Sequence, residues 1–112
     1  MTHGAGYHVI VPRHFNNGRP IPQKRFAAIS QELMNEFGGV TEFREPVFSM
    51  QGTWMGFGFP QTEQVRIIGT FARDLNAARA FFDEAVERWK APEMLDQEAI
   101  LITESHVEVM FK

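Results

Sequence analysis

The sequence predicts a small α+β domain in which two strand–helix–strand units form one layer of strands and one layer of helices. Three observations support this class. β-branched runs occur near both ends of the chain, two longer segments carry apolar residues at spacings of three and four, and turn residues separate these segments. With 112 residues, the chain has the size of one domain, and residues 1–112 are taken as a single unit.

The first half is predicted as strand, helix and strand. Tyr7 to Pro12 has three consecutive β-branched residues before the proline, which is typical of a strand. The following helix is expected to end at Gly38, because glycine adopts the left-handed conformation without a steric penalty. Val40 to Phe43 alternates as a second strand, which Val47 to Trp54 resumes beyond Pro46. The apolar stripe of this first helix consists of Phe26, Ile29, Leu33 and Phe37.

The second half repeats this order. Gln64 to Phe71 is predicted as the third strand, and Asp74 as the N-cap of a second helix. Glu98 to Thr103 is the fourth strand, and His106 to Phe111 alternates in a way compatible with an extra C-terminal edge strand. The apolar stripe of the second helix consists of Leu75, Ala78, Phe82, Ala85 and Trp89.

This order of elements predicts a ferredoxin-like βαββαβ sandwich. Right-handed crossovers put both helices on one face of an antiparallel sheet. The other face is then bare, and exposing apolar side chains there costs roughly 25 cal/mol per Å². We therefore expect the protein to form homo-oligomers.

Composition excludes several functional classes. The chain has no cysteine, which excludes disulfides, zinc–thiolate sites and cysteine nucleophiles. Its net charge of -3 argues against a nucleic-acid partner. Because the chain has neither a secretory apolar region nor a long apolar run, we expect a cytoplasmic protein without a membrane partner. The 11 phenylalanines are expected to fill the core, or alternatively to line a ligand site or a subunit interface.

The histidines and serines do not predict a metal site or a hydrolase triad. The four histidines lack a metal-binding spacing, and no serine lies in a nucleophile elbow. A meeting of His8 and His106 across strands, as a structural or solvent-facing pair, is compatible with the predicted strands.

A glycine-rich aromatic stretch is the first candidate for a binding site. Gly52, Gly56 and Gly58 surround Trp54 and Phe57 without forming a phosphate-binding fingerprint. They predict either a flexible hairpin loop or a loop that closes on a ligand, since aromatic faces bind an adenine ring or a cation.

Glu63 is the second candidate, where this loop enters the third strand. Its carboxylate either faces solvent or points into a cleft, where it would hold a cationic substrate or accept a proton.

The motifs along the chain resemble the small S-adenosylmethionine-cleaving lyases of bacteriophages. The best points of similarity are the turn Gly52-Thr53-Trp54, Glu63 ahead of a strand, and the helix segment from Leu75 to Arg79. Further similarity lies in Tyr7 to Phe15, Pro60 to Ile67, Trp89 and Asp96 to Ile102. The chain is also similar to uncharacterised bacterial ferredoxin-like proteins, through Phe37 to Thr41, a Gly-x-Trp and a Gln-Glu-Ala strand.

The lyase resemblance implies a homotrimer with active sites between subunits. It implies cleavage of S-adenosylmethionine to methylthioadenosine and L-homoserine lactone, without a cofactor or metal. The family's essential glutamate corresponds to Glu63. Its loop tyrosine corresponds to Trp54, which keeps an aromatic face but lacks the phenol hydroxyl, and the spacing between these two positions is shorter here.

The binding pocket implied by the resemblance is formed by two segments. One is Gly52, Thr53 and Trp54; the other is His14 and Phe15 after the first strand. Two alternatives remain beside the lyase. One is a non-enzymatic, oligomeric small-ligand-binding or regulatory protein, and the other is a structural protein in which Trp54 and Phe57 pack into a subunit contact.

Overall fold

The described part of the chain forms five strands and two helices. The computed structural model describes residues 2–43, 50–56 and 59–110, and it describes side chains for residues 3–42 and 65–110. The elements are β1 (Thr2–Pro12), α1 (Gln23–Phe37), β2 (Thr41–Phe43), β3 (Met50–Gly56), β4 (Phe59–Ala72), α2 (Leu75–Lys90) and β5 (Leu101–Val109).

The strands form one sheet in the order β2-β4-β1-β5, and neighbouring strands are antiparallel. β3 pairs with the first half of β4. Val65 of β4 pairs with Pro12 of β1 and with Met50 of β3, so β3 lies along the same edge of β4 as β2. Both helices pack into one core on one face of the sheet. The predicted ferredoxin-like α+β fold is confirmed.

Local sequence signals determine where both helices end and which side of each helix is buried. Gly38 ends α1 with φ 85° and donates its N–H to the carbonyl of Met34. Asp74 begins α2, and its side chain accepts a hydrogen bond from the backbone N–H of Ala77. Both predictions are confirmed. The buried helix residues are Phe26, Ile29, Ser30, Leu33, Ala78, Phe82, Ala85 and Trp89.

The centre of the core is aromatic. The ring of Phe82 lies 5.0 Å from Tyr7 and 5.6 Å from Phe37, measured between centroids. The fully buried Trp89 packs against Phe81, and its indole N–H donates to Glu32 at 2.5 Å. Among the described phenylalanine side chains, the expected role in the core is confirmed for Phe15, Phe26, Phe37, Phe81 and Phe82.

Several strands differ from the prediction in length. β1 begins at Thr2 rather than Tyr7, and β4 begins at Phe59 rather than Gln64. The predicted extra C-terminal strand is wrong, because nine consecutive residues of β5 pair with β1 without a break at Ser105. Phe111 at its predicted end, and Pro46 and Val47 before β3, lie outside the described residues.

The other face of the sheet has no helix over it among the described residues. Ile10, Ile67 and Leu101 lie together on this open face, beside His8 and Thr103. His8 and His106, whose meeting across strands the sequence allowed, do not meet, because the register puts His8 opposite Thr103 on the open face and His106 opposite Ala5 on the helix face. No helix in the described part of the chain has the length and apolar character needed to cross a membrane.

Candidate functional site

The most distinctive part of the fold is a β3–β4 hairpin that extends past the end of β1. Pairing between β1 and β4 ends where Pro12 lies opposite Val65. Residues 59–64 of β4 continue beyond this point and pair only with β3. At about 3.4 Å per residue, the hairpin projects roughly 20 Å from the central sheet.

The hairpin brings the main sequence-predicted residues together through its register. Gly52 lies directly opposite Glu63, and Trp54 lies opposite Gln61. Residues directly opposite in antiparallel strands share a face, and so do residues two apart on one strand. Glu63, Gly52 and Trp54 therefore share one face, with Glu63 and Trp54 diagonal neighbours. Thr53, opposite Thr62, belongs to the other face.

The predicted loop around these residues is mostly strand. Gly52 to Gly56 belong to β3, and Glu63 is the fifth residue of β4 rather than its entrance. Phe57 and Gly58, which the prediction placed in the same loop, lie outside the described residues. A regular ladder fixes the backbone distance between Glu63 and Gly52, which a flexible loop would not do.

A buried arginine anchors the base of the hairpin to α1. Arg66 is 7% exposed, and its guanidinium lies 4.3 Å from the centre of the Phe26 ring. It also donates to Gln23 and forms an ion pair with Glu42 at 3.5 Å. These partners offset the cost of removing a charge from water. The sequence signal for this anchor was a lone arginine within the apolar third strand.

The loop after β1 is hydrogen-bonded to the base of the hairpin. The Nε of Arg13 donates to the carbonyl of Val65 at 3.3 Å, which ties this loop to the base of the hairpin. His14 is exposed and forms a β-bridge with Pro20. Phe15 is half-buried against the core, and the guanidinium of Arg25 lies 5.2 Å from its ring centre. The loop thus offers His14 to solvent, whereas Phe15 also has a structural role.

A second cluster of polar side chains lies on the helix face of β5. The carboxylate of Glu104 accepts from the hydroxyl of Tyr7 at 2.6 Å and from two guanidinium nitrogens of Arg79 at 2.9 and 2.8 Å. The Nε2 of His106 lies 3.1 Å from the same carboxylate. Hydrogen bonds from Arg79, Tyr7 and His106 lower the pKa of Glu104 to about 2. Burial and the Glu104 carboxylate raise the pKa of Tyr7 to about 12.

This cluster borders a shallow groove of about 370 Å³. The groove lies between the beginnings of β1 and α2 and the end of β5, and His3 and Glu108 form an exposed pair in it, with 3.4 Å between nitrogen and oxygen. Among the described residues, no three histidine or carboxylate side chains are grouped so that they could hold a metal ion. The cluster joins three elements rather than forming a ligand cage. Sequence reasoning missed it, because Tyr7 and Glu104 lie 97 residues apart in the chain.

No protein-family model and no curated protein matches this chain.

Proposed function

We propose that the protein is an S-adenosylmethionine lyase whose catalytic carboxylate is Glu63. The observation that carries the proposal is the register of the hairpin. It puts Glu63 opposite Gly52 and diagonal to Trp54, on a segment that projects beyond the central sheet. The proposal also uses the resemblance of these residues to the phage lyases.

The proposed reaction is intramolecular. The α-carboxylate of S-adenosylmethionine attacks the Cγ of the same molecule, and the bond between Cγ and the sulfonium breaks. The sulfur keeps the electron pair, so methylthioadenosine leaves as a neutral thioether while the lactone ring closes. The protein then supplies orientation and electrostatic stabilisation rather than a nucleophile.

The hairpin residues have complementary roles in this reaction. The substrate carries an ammonium and a sulfonium group, and an anionic carboxylate at Glu63 would hold and orient them. Gly52 has no side chain and leaves room directly across from Glu63. Trp54 would offer an aromatic face to the adenine ring or to the sulfonium.

The remaining pocket residues fit sites built between subunits. A hairpin that projects from its own sheet is able to reach a neighbouring copy. His14 and Phe15 would line the pocket from the loop after β1, which the bond from Arg13 to Val65 ties to the hairpin base. Thr53, on the opposite face, would contact substrate held by another subunit. The proposal implies a homotrimer in the cytoplasm, where the substrate is made, and a bacteriophage source.

The test is to incubate the purified protein with S-adenosylmethionine and separate the products by chromatography. We expect methylthioadenosine and homoserine lactone in equal amounts from the parent protein. Glu63→Gln should lower the rate at least 100-fold, whereas Glu36→Gln, which changes an exposed glutamate on α1, should leave it unchanged.

Two outcomes would count against parts of the proposal. Full turnover by Glu63→Gln would remove the catalytic role of this residue. Saturable binding of S-adenosylmethionine in calorimetry, without any product, would instead support the non-enzymatic ligand-binding protein.

A further inference from the structure

The outer edge of β5 has the features of a strand edge that pairs with another chain. One edge of β5 pairs with β1 through nine consecutive residues. Within the residues that the structure describes, no strand pairs with the other edge. Natural edge strands are usually protected by charged side chains, especially lysine, or by proline, a bulge or short length. The nine residues from Leu101 to Val109 contain no proline or lysine, and their register with β1 is unbroken. The two glutamates of β5 are paired within the chain, Glu104 with Arg79 and Glu108 with His3.

Exposed apolar side chains are concentrated at this edge. The large apolar side chains that are most exposed in the described part of the chain are Met34, Leu101, Val107 and Met110. Three of these four lie on β5 or directly after it, and Leu101 is 60% exposed. An unpaired edge with exposed apolar residues indicates an interaction surface.

We infer that β5 pairs in antiparallel orientation with β5 of a second copy of this chain, around a two-fold axis at Ser105. Ser105 is the middle residue of β5, so this register is the one that pairs all nine residues. On the open face it puts Leu101 opposite the partner's Val109 and Thr103 opposite the partner's Val107. The two copies then form one continuous sheet.

The charges on the helix face select the same register. Around Ser105, Glu104 lies opposite the partner's His106, and opposite charges across strands are favourable when the imidazole is protonated. An axis at Glu104 would put the two Glu104 residues opposite each other. An axis at His106 would put Glu104 opposite the partner's Glu108. Both shifts pair like charges, which is unfavourable.

This interface does not depend on the proposed lyase activity. β5 and the β3–β4 hairpin lie at opposite edges of the sheet, so pairing through β5 leaves the hairpin free. A two-fold contact at β5 gives a dimer alone, and together with a three-fold contact elsewhere it gives a hexamer with dihedral symmetry.

Cysteine cross-linking tests the register directly, because the chain has no cysteine of its own. In Ser105→Cys, the two introduced thiols lie opposite each other with Cβ atoms about 5 Å apart, close enough for a disulfide after small adjustments. The matched control is Thr103→Cys, whose two thiols are about 14 Å apart in the proposed register. The double variant Thr103→Cys/Val107→Cys restores opposed thiols.

After mild oxidation at micromolar concentration, we expect a covalent dimer on a non-reducing gel for Ser105→Cys and for the double variant. Thr103→Cys should remain a monomer on that gel. No dimer from Ser105→Cys, or equal dimer from Thr103→Cys, would overturn the register.

A second measurement keeps the test independent of thiol chemistry. Val107→Lys puts a charge into the proposed interface and should halve the native mass measured by light scattering. Far-UV circular dichroism should stay unchanged, because Val107 is partly exposed on its own chain. A folded Val107→Lys variant with the parent's mass would also overturn the inference.

Discussion

The hydroxyl of Tyr7 donates a hydrogen bond of 2.6 Å to the carboxylate of Glu104, and so joins the central strand β1 to the edge strand β5. Arg79 of α2 binds the same carboxylate through two nitrogens. One carboxylate near the middle of β5 therefore connects three elements, β1, β5 and α2. Charge-assisted hydrogen bonds are stronger than neutral ones, so this contact contributes to holding β5 in register.

The Glu104 cluster predicts a specific acid dependence of stability. In the folded protein the pKa of the Glu104 carboxyl group is lowered to about 2. Glu104 therefore stabilises the fold above the ordinary glutamate pKa of ~4.3, and this stabilisation is lost as the pH falls toward 2. Glu104→Gln should therefore be less stable than the parent at pH 7, and the difference should shrink between pH 5 and pH 2. Urea unfolding at pH 7, 4 and 2.5 measures this, with the exposed Glu98→Gln as control. A difference that is constant with pH would contradict the prediction.

Ser30 predicts a stabilising substitution. Its hydroxyl is buried in α1 and has no hydrogen-bond partner among the described residues. Ser30→Ala removes an unsatisfied polar group and introduces a better helix former, so we expect a gain of about 1–2 kcal/mol in the free energy of unfolding. Thermal and urea unfolding measure it, with Gln31→Ala at an exposed position of the same helix as a comparison expected to change little. A loss of stability in Ser30→Ala would show that the hydroxyl is satisfied.

The cap of α2 gives a third prediction. The side chain of Asp74 accepts from the backbone N–H of Ala77 at 3.0 Å. Asp74→Ala should lower the free energy of unfolding by about 1 kcal/mol, because that N–H loses its partner. Asp83→Ala, an exposed aspartate in the middle of the same helix, should be neutral or slightly stabilising. Equal effects of the two substitutions in urea unfolding would argue against a capping role.

Trp54 allows the proposed activity to be tested at the binding step. Under the proposed function, Trp54→Tyr keeps an aromatic face and introduces a phenol hydroxyl, so the turnover of S-adenosylmethionine should be retained. Trp54→Ala removes the face and should raise KM about 10-fold, since stacking on an aromatic side chain contributes about 1–3 kcal/mol. Met34→Ala, at an exposed apolar residue of α1, is the control and should leave KM unchanged. Unchanged KM in Trp54→Ala would exclude Trp54 from the site.

The helices and their ends could be predicted from the sequence because their signals are local. Asp74 and Gly38 act within one turn of the helix that they begin or end. The strands were harder, because pairing with distant residues decides their length. Gly4 and Gly6 are poor strand formers, yet they belong to β1 because β5 supplies their partners, Val107 and Ser105. The polar residues around Ser105 resembled a break between strands and instead lie in the middle of one.

The candidate site was predictable only in part, for the same reason. Glu63, Gly52 and Trp54 were identified by type and order, but their common face follows from the β3–β4 register. The anchor formed by Arg66, Phe26 and Glu42 requires that β4, α1 and β2 come together, and no short sequence motif predicts it.

The pairing of strand β4 also decides where the hairpin tolerates a change of length. Its register in the central sheet is fixed at Val65 and beyond by β1, whereas its first six residues pair only with β3. Insertions or deletions at the tip, between Gly56 and Phe59, therefore leave the pairing of Gly52 with Glu63 intact. The length of the hairpin can therefore change without redesign of the central sheet.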